Sequence, residues 1–289
     1  MEVFMKEKKD LSIINCIATS LLAYFFTIPV HELFHVLTCL AYGDNVLCYS
    51  AGAVTSMGNV DIFSLPVFDR IMLAGGSASI INAIIGIVLV FIILKVKMGA
   101  TVRLFLIQLM GAHLSCGFGY FMIGGLFGAG DWGNVITCLM DVPGAVTALR
   151  VILAVIGCGG VVFIFFILNH MSYYFIDDPD NKPEKLRIAA KLHLPMLILG
   201  YGVGLIVTVL SPVNETGDLN LVLGILYNMM WIPFLWGFLF TGPMNVLIPK
   251  KSRFLYKLPA RPNWILFVIA VVLIVIDIVV LGPGLWFYY

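Results

Sequence analysis

Charged residues are scarce in this sequence. Only 11% of its 289 residues are Asp, Glu, Lys or Arg, whereas soluble domains contain roughly a quarter. Hydrophobic residues make up 61% of the chain, and the mean hydropathy is +1.03. This composition excludes a water-soluble globular domain and predicts an integral membrane protein. We therefore expect the lipid bilayer as a partner and expect no nucleic-acid partner.

Closely spaced cysteines are also missing. The six cysteines lie mostly within apolar runs, and no two of them form a C-x-x-C pair or share a cysteine-rich loop. The pattern gives no sign of a disulfide framework and indicates ordinary small core residues.

Long apolar runs, in contrast, are abundant. A helix needs about 20 residues to cross about 30 Å of hydrocarbon, and seven runs approach or exceed that length. They are residues 11–42, 71–94, 104–125, 145–176, 194–210, 219–247 and 264–281. None shows the two-residue alternation of barrel strands, so the sequence predicts an all-α polytopic membrane protein with about seven transmembrane helices.

Lysine and arginine are divided unevenly between the two sides of this arrangement. Of the 17, all but Arg70 and Arg150 precede the first run or lie between the second and third, the fourth and fifth, or the sixth and seventh runs. Cytoplasmic loops are enriched in Lys and Arg. We therefore expect a multi-pass protein of the cell membrane with a cytoplasmic N-terminus and an external C-terminus.

Two longer polar insertions interrupt the apolar runs. Within the first, residues 44–63 are rich in β-branched and aromatic side chains and are broken at Gly52 and again at Met57-Gly58-Asn59. This layout predicts a small β-hairpin-like insertion after the first helix. Its edge would either hold an extended substrate or serve as a structural plug. The second insertion, residues 177–193, is expected to be a solvated loop.

The segment HELFH lies inside the first apolar run. Ionisable side chains are costly within a bilayer, so three of them in five residues need a local partner or a functional reason. On a helix, His31 and His35 are one turn apart, about 6 Å in rise, and can bind one zinc ion at about 2.0 to 2.1 Å. Glu32 can accept a proton from an attacking water and pass it to the leaving amine. The alternative is a pair of hydrogen-bonded core histidines.

A catalytic zinc site needs a third protein ligand. The sequence after HELFH lacks a third histidine at metalloprotease spacing, and the later glutamates, Glu184 and Glu215, lie in polar segments. Asp131, in GAGDWGNV after the third run, is expected on the same side of the membrane as HELFH. Alternatively, Asp131 caps a short helix beginning at Trp132, and His113 is the third ligand.

These features together resemble the site-2 protease family of membrane-embedded zinc peptidases, over roughly residues 20–140. The resemblance lies in HELFH, the small-residue segment LAGGSASIINAIIG in the next run, and a Gly-Asp-x-Gly loop after the third run. It implies a three-helix catalytic core that cleaves membrane-anchored substrates. His31, His35 and Asp131 would then be zinc ligands and Glu32 the general base and acid. Asn82 would contact the substrate or shape its pocket, unless it makes a helix-to-helix hydrogen bond.

We therefore predict a zinc metalloendopeptidase, a hydrolase that cleaves membrane-anchored proteins or peptides. Residues 1–143 would form the catalytic membrane core, with the HExxH helix and the Asp131 loop, and residues 144–289 would add transmembrane helices of unknown role. Two alternatives are a non-catalytic zinc-binding sensor or escort protein and a transporter. Glu32 favours the enzyme, because zinc binding alone requires only the ligands. A transporter would more naturally show paired broken helices in two related halves.

Overall fold

A computed structural model of the chain describes residues 10–176, 178, 180–211, 228–241 and 259–287. Within them, six helices are long and apolar enough to cross a membrane, which confirms the predicted all-helical, multi-span architecture. A shorter apolar helical segment, Met229–Leu239, lies inside the predicted run 219–247. The rest of that run lies largely outside the described residues, as do the basic residues expected before the first run.

The helices are numbered in chain order. They are α1 (Ile13–Ala41), α2 (Val67–Ile71), α3 (Ser77–Lys95), α4 (Ala100–Phe127), α5 (Asp131–Thr137), α6 (Ala145–Tyr173), α7 (Lys182–Leu210), α8 (Ile232–Leu239) and α9 (Trp264–Ile276). Wider π-helical turns join α2 to α3 (Met72–Gly76) and extend α9 (Asp277–Leu281). Short 3₁₀ turns cover Ile62–Ser64 and Met229–Trp231. The strands are β1 (Val46–Tyr49), β2 (Val54–Ser56) and β3 (Leu285–Trp286).

Helices α1 and α4 form the centre of the fold. Helix α4 packs against α1, α3 and α6, and α1 also packs against α7 and α9. Fully buried side chains such as Leu104, Leu114 and Leu168 join these helices in one continuous core. The outer helices α6 and α9 instead expose many branched apolar side chains, among them Val155 and Ile265. An apolar outer surface is what a bilayer-embedded bundle presents to lipid.

The predicted hairpin is present and belongs to a three-stranded sheet of order β2-β1-β3. Strand β1 pairs antiparallel with β2, with Tyr49 opposite Val54, and antiparallel with β3, with Tyr49 opposite Leu285. The sequence did not predict β3, which comes from the far end of the chain. Strand β2 is at one edge of the sheet and pairs only with β1 among the described residues.

The second polar insertion differs from its prediction. Residues 182–193 form the first turns of α7 rather than a solvated loop. The Asn181 side chain caps the helix, Pro183 occupies its first turn, and both Lys185 and His193 are buried. A capping residue followed by proline is a strong helix start signal, and the charged residues extend the helix beyond its apolar span.

Candidate metal centre

The three side chains that the sequence singled out as zinc ligands converge on one point. Asp131 Oδ2 lies 3.0 Å from His31 Nε2 and 3.3 Å from His35 Nε2, and the two Nε2 atoms are 3.3 Å apart. Ligand atoms about 2.0 to 2.1 Å from a tetrahedral zinc are about 3.3 to 3.4 Å from one another. The three atoms therefore match three corners of a zinc site, and they could hold a metal ion.

Helix geometry accounts for the two histidines. His31 and His35 are one turn apart on α1, and their rings meet edge to face with centroids 4.9 Å apart. The His31 side chain is 1% exposed, whereas that of His35 is 14% exposed. His31 thus forms the buried side of the centre and His35 its accessible side.

Two glycines and a tight approach place Asp131. Gly128 caps the C-terminal end of α4 with a φ of 66°, and Gly130 has a φ of 68°, so the chain turns and α5 begins at Asp131. A Cβ atom on Gly75, whose φ is 140°, would lie 2.8 Å from Asp131 Cβ. Only glycine combines that conformation with that clearance. Gly130 occupies the capping position of α5, so the alternative role of Asp131 as a helix cap is not observed.

The residue after Asp131 anchors the short helix. Trp132 is buried, its Nε1 donates a hydrogen bond to Ser79 Oγ at 2.9 Å, and its ring meets Phe121 edge to face. Because Trp132 is bonded to α3 and packed on α4, the neighbouring carboxylate has little freedom to move. The Gly-Asp-Trp-Gly segment therefore combines a candidate ligand with its own anchor.

Electrostatics favour an ionised ligand at this position. Burial raises the pKa of Asp131, but the positive charge of protonated His35 and His31 and their hydrogen bonds outweigh burial and hold this pKa well below its ordinary value. The carboxylate can therefore act as an anion beside a cation at neutral pH.

A hydrogen-bonded chain stands behind His31. Asn82 is fully buried, with its Nδ2 2.7 Å from His31 Nδ1 and its Oδ1 2.5 Å from His113 Nδ1. His113 therefore contacts Asn82, and its Nδ1 is not among the converging ligand atoms, which disfavours His113 as the third ligand. Asn82 does not line the cavities next to this centre. Its hydrogen bonds join helices, as the second interpretation of this residue expects, and do not favour contact with a substrate.

The hydrogen-bonded chain through Asn82 also bears on which ring nitrogen of His31 carries the proton. Metal binding through Nε2 leaves the ring proton on Nδ1, so Nδ1 then needs an acceptor. Rotation of the Asn82 carboxamide would present its oxygen there, and Cys116 Sγ, 3.5 Å from Nδ1, offers a second acceptor. Asn82 is thus placed to orient the His31 ring.

Sequence reasoning missed Tyr120. Its ring stacks on the His31 imidazole, with centroids 4.9 Å apart and an interplanar angle of 17°. His113, Cys116 and Tyr120 follow the three- and four-residue spacing of one helix face. This spacing on α4 was the sequence signal that could have pointed to Tyr120.

A cavity of ≈ 290 Å³ opens beside the three ligand atoms. Its lining includes Glu32, His35 and Asp131 together with Val54 and Ser56 of β2. The Glu32 side chain is only 5% exposed. Among the described residues no donor is hydrogen-bonded to its carboxylate, which is therefore available to a molecule in the cavity.

Two polar contacts tie the surrounding segments together. The Tyr42 hydroxyl, just after α1, donates to Asp69 Oδ1 at 2.6 Å. Arg70 Nη1 donates to both carboxylate oxygens of Asp141, at 2.9 and 2.7 Å. The hydrogen bond from Arg70 holds the pKa of Asp141 below its ordinary value. These contacts link the end of α1, the short α2 and the segment after α5.

Comparison of the whole chain with known proteins found no matching family model, no matching curated protein and no matching solved structure.

Proposed function

We propose that this protein is an intramembrane zinc metalloprotease that hydrolyses peptide bonds of membrane-anchored substrates, as its resemblance to the site-2 protease family implies. The observation that carries the proposal is the convergence of His31, His35 and Asp131, with Glu32 on the same cavity. Zinc binding without catalysis would require only the three ligands. An acid beside them, buried and without a hydrogen-bonded donor, supplies what hydrolysis needs in addition.

The chemistry divides among these residues. His31, His35 and Asp131 would hold the zinc ion. When bound, zinc polarises a carbonyl group and lowers the pKa of water. Glu32 accepts the proton of the attacking water and then delivers it to the nitrogen of the leaving amine. The low exposure of Glu32 limits exchange of that proton with bulk water.

The sheet supplies a means of holding the substrate. A transmembrane helix hides its backbone in internal hydrogen bonds, so it must unwind before a peptide bond can be attacked. Strand β2 is an edge strand whose Val54 and Ser56 line the cavity. A substrate segment added along β2 would be extended and lie next to Glu32.

The test combines a metal measurement with a cleavage measurement. Purified wild type should contain one zinc per chain, and His35→Ala should contain much less because one of three ligands is lost. A library of fluorogenic single-span peptides in proteoliposomes should be cleaved by the wild type and not by Glu32→Gln. Zinc in the wild type without cleavage of any peptide would favour the sensor or escort alternative, and equal zinc in wild type and His35→Ala would refute the ligand assignment.

The membrane orientation is part of the proposal. The distribution of Lys and Arg favours a hairpin on the outside and an N-terminus in the cytoplasm. A single cysteine at exposed position 58, in a variant whose native cysteines are replaced, should react with an impermeant maleimide in intact cells. Reaction only after membrane permeabilisation would invert the orientation and leave the catalytic proposal unchanged.

A further inference from the structure

A second, smaller cavity adjoins the first. Its volume is ≈ 40 Å³, and Glu32, Gly52 and Tyr120 line both cavities. The two cavities therefore meet at the side chain that carries the proton in the proposed reaction. Gly52 lies two residues before β2, so a substrate segment held along β2 would lie close to both cavities.

The far wall of the second cavity comes from the C-terminal half of the chain. Val207 and Thr208 of α7 lie there, with Met230 and Trp231 of the turn before α8. Among the described residues, Glu32 is the only charged side chain in the lining. A charged guest would lose its hydration without gaining a partner of opposite sign, so the cavity suits a neutral group.

Tyr24 adds an unused polar group to this lining. Its side chain is 1% exposed, and its hydroxyl has no hydrogen-bond partner among the described residues. Buried hydroxyl groups are nearly always hydrogen-bonded in folded proteins. The hydroxyl oxygen is itself covered by protein atoms, so a guest whose small polar atom displaces this cover would supply the missing partner.

The volume limits the size of the guest. At ≈ 40 Å³ the second cavity is far smaller than the first, at ≈ 290 Å³, so it suits a guest of only a few non-hydrogen atoms. The side chains of serine and alanine fit within that limit. Those of leucine and phenylalanine exceed it.

We propose that the second cavity is a specificity pocket for a small neutral side chain of the substrate, at a residue that flanks the scissile bond. Serine is favoured over alanine, and leucine and larger side chains are excluded. The inference rests on the proposed function, because it assigns a pocket to the substrate of that reaction. It also gives residues of the C-terminal half a direct role in substrate recognition.

Amino-acid hydroxamates test the pocket without a known substrate. A hydroxamate group chelates zinc, and its side chain then samples the adjoining space. Isothermal titration of zinc-loaded wild type in detergent should rank N-acetyl serine hydroxamate about fivefold tighter than the alanine compound, the effect of one hydrogen bond. The leucine compound should bind at least about tenfold more weakly than the alanine compound. Acetohydroxamate, which has no side chain, reports on the metal alone.

Four variants connect these affinities to the pocket. Met230→Ala enlarges the cavity and should remove the penalty on leucine, whereas Val203→Ala, which removes buried volume on α7 outside the lining, should not. Tyr24→Phe should abolish the advantage of serine over alanine and leave the affinity for alanine unchanged. If Met230→Ala does not bind acetohydroxamate, Val207→Ala serves as the enlarged pocket.

The two proposals fail in different ways. Hydroxamates that bind equally well whatever their side chain, or variants that leave the ranking unchanged, overturn the specificity pocket and leave the protease intact. Protein with one zinc per chain that binds no hydroxamate at all has no open metal position. That result overturns the proposed function and the pocket together.

Discussion

The two halves of this chain contribute different things to the site. The converging ligand atoms and the hydrogen-bonded chain behind them come from the N-terminal half, from α1, α3, α4 and α5. The described part of the C-terminal half contributes to the second cavity a wall made largely of apolar side chains, including Val207, Met230 and Trp231. The converging ligand atoms and the described lining of the larger cavity thus come from the N-terminal half, whereas the C-terminal half forms part of the smaller cavity.

The halves are nevertheless one folding unit in the described residues. Helices α7 and α9 pack directly on α1, and the core contains side chains of both halves. Asn15 of α1 donates to the carbonyl groups of Pro259 and Arg261 at 2.9 Å and accepts a bond from the Asn263 backbone. The C-terminal helices therefore support the helix that carries HELFH and are not a detached addition.

The largest expected effect tests whether the proposed proton transfer depends on the N-terminal half and not on the C-terminal half. Glu32→Gln preserves shape but cannot accept a proton, so cleavage should fall at least about 100-fold while zinc content stays unchanged. The matched variant Glu184→Gln changes a buried glutamate at the start of α7 in the C-terminal half. Its cleavage rate should stay near that of the wild type. Similar losses in both variants would indicate a general defect and break the comparison.

A glycine substitution tests how the N-terminal half positions its third ligand. Gly75→Ala places a methyl group 2.8 Å from Asp131 Cβ and imposes a strained φ, so Asp131 should shift and zinc affinity should drop at least about tenfold. Gly159→Ala is the control, because a Cβ there has no heavy atom within 4 Å. Competition with a fluorescent chelator measures both. Unchanged zinc affinity in Gly75→Ala would remove Asp131 from the ligand set.

Breaking the hydrogen-bonded chain behind His31 should weaken zinc binding by a factor comparable to or smaller than that of Gly75→Ala. Asn82→Ala removes the group that orients the ring, and loss of such partners typically weakens metal binding about 10- to 100-fold. Asn82→Asp should recover most of the affinity, since a carboxylate oxygen can accept the Nδ1 proton. Chelator competition again gives the values. If aspartate is no better than alanine at this position, the residue acts through packing rather than through ring orientation.

The parts of the site that follow from short-range geometry could be predicted from sequence. His31 and His35 share a face because a helix turn has a fixed length, and Asp131 was predicted because the expected topology puts it on the same side of the membrane as HELFH. Tyr120 and the bonds of Asn82 could not be assigned, because they depend on which faces of α3 and α4 meet α1. Local spacing carries no information about that pairing.

Prediction of the fold from the sequence has the same limit. Helices were predictable from apolar length and the hairpin from its turn residues. Strand β3 was not, because its partner β1 lies more than 200 residues away in the chain, and a two-residue strand has no pattern of its own. The start of α7 was missed because charged residues were taken as solvent-exposed, whereas packing buries Lys185 and His193.

The smallest expected effect concerns an ion pair that joins the two halves. Lys191 Nζ of α7 lies 2.6 Å from Asp10 Oδ2 and also donates to the Leu11 carbonyl, with Arg187 Nε 3.5 Å from the same carboxylate. Burial raises the pKa of Asp10, but Lys191 and Arg187 outweigh it and leave this pKa below its ordinary value. The pair is partly exposed, so Asp10→Asn should cost only about 0.5 kcal/mol of unfolding free energy at pH 7.

The pH dependence of this loss of unfolding free energy follows from the direction in which folding shifts the pKa of Asp10. A carboxyl whose pKa is lowered by folding stabilises the fold above its unfolded pKa of about 3.9, and the contribution disappears as pH falls through the lower folded value. Thermal unfolding in detergent should therefore separate wild type from Asp10→Asn at pH 7, and the separation should shrink as the pH falls below about 3.9. Lys191→Met completes a double-mutant cycle that isolates the pair. A coupling near zero would mean that apolar packing and the Asn15 bonds, rather than charge, hold the C-terminal half against α1.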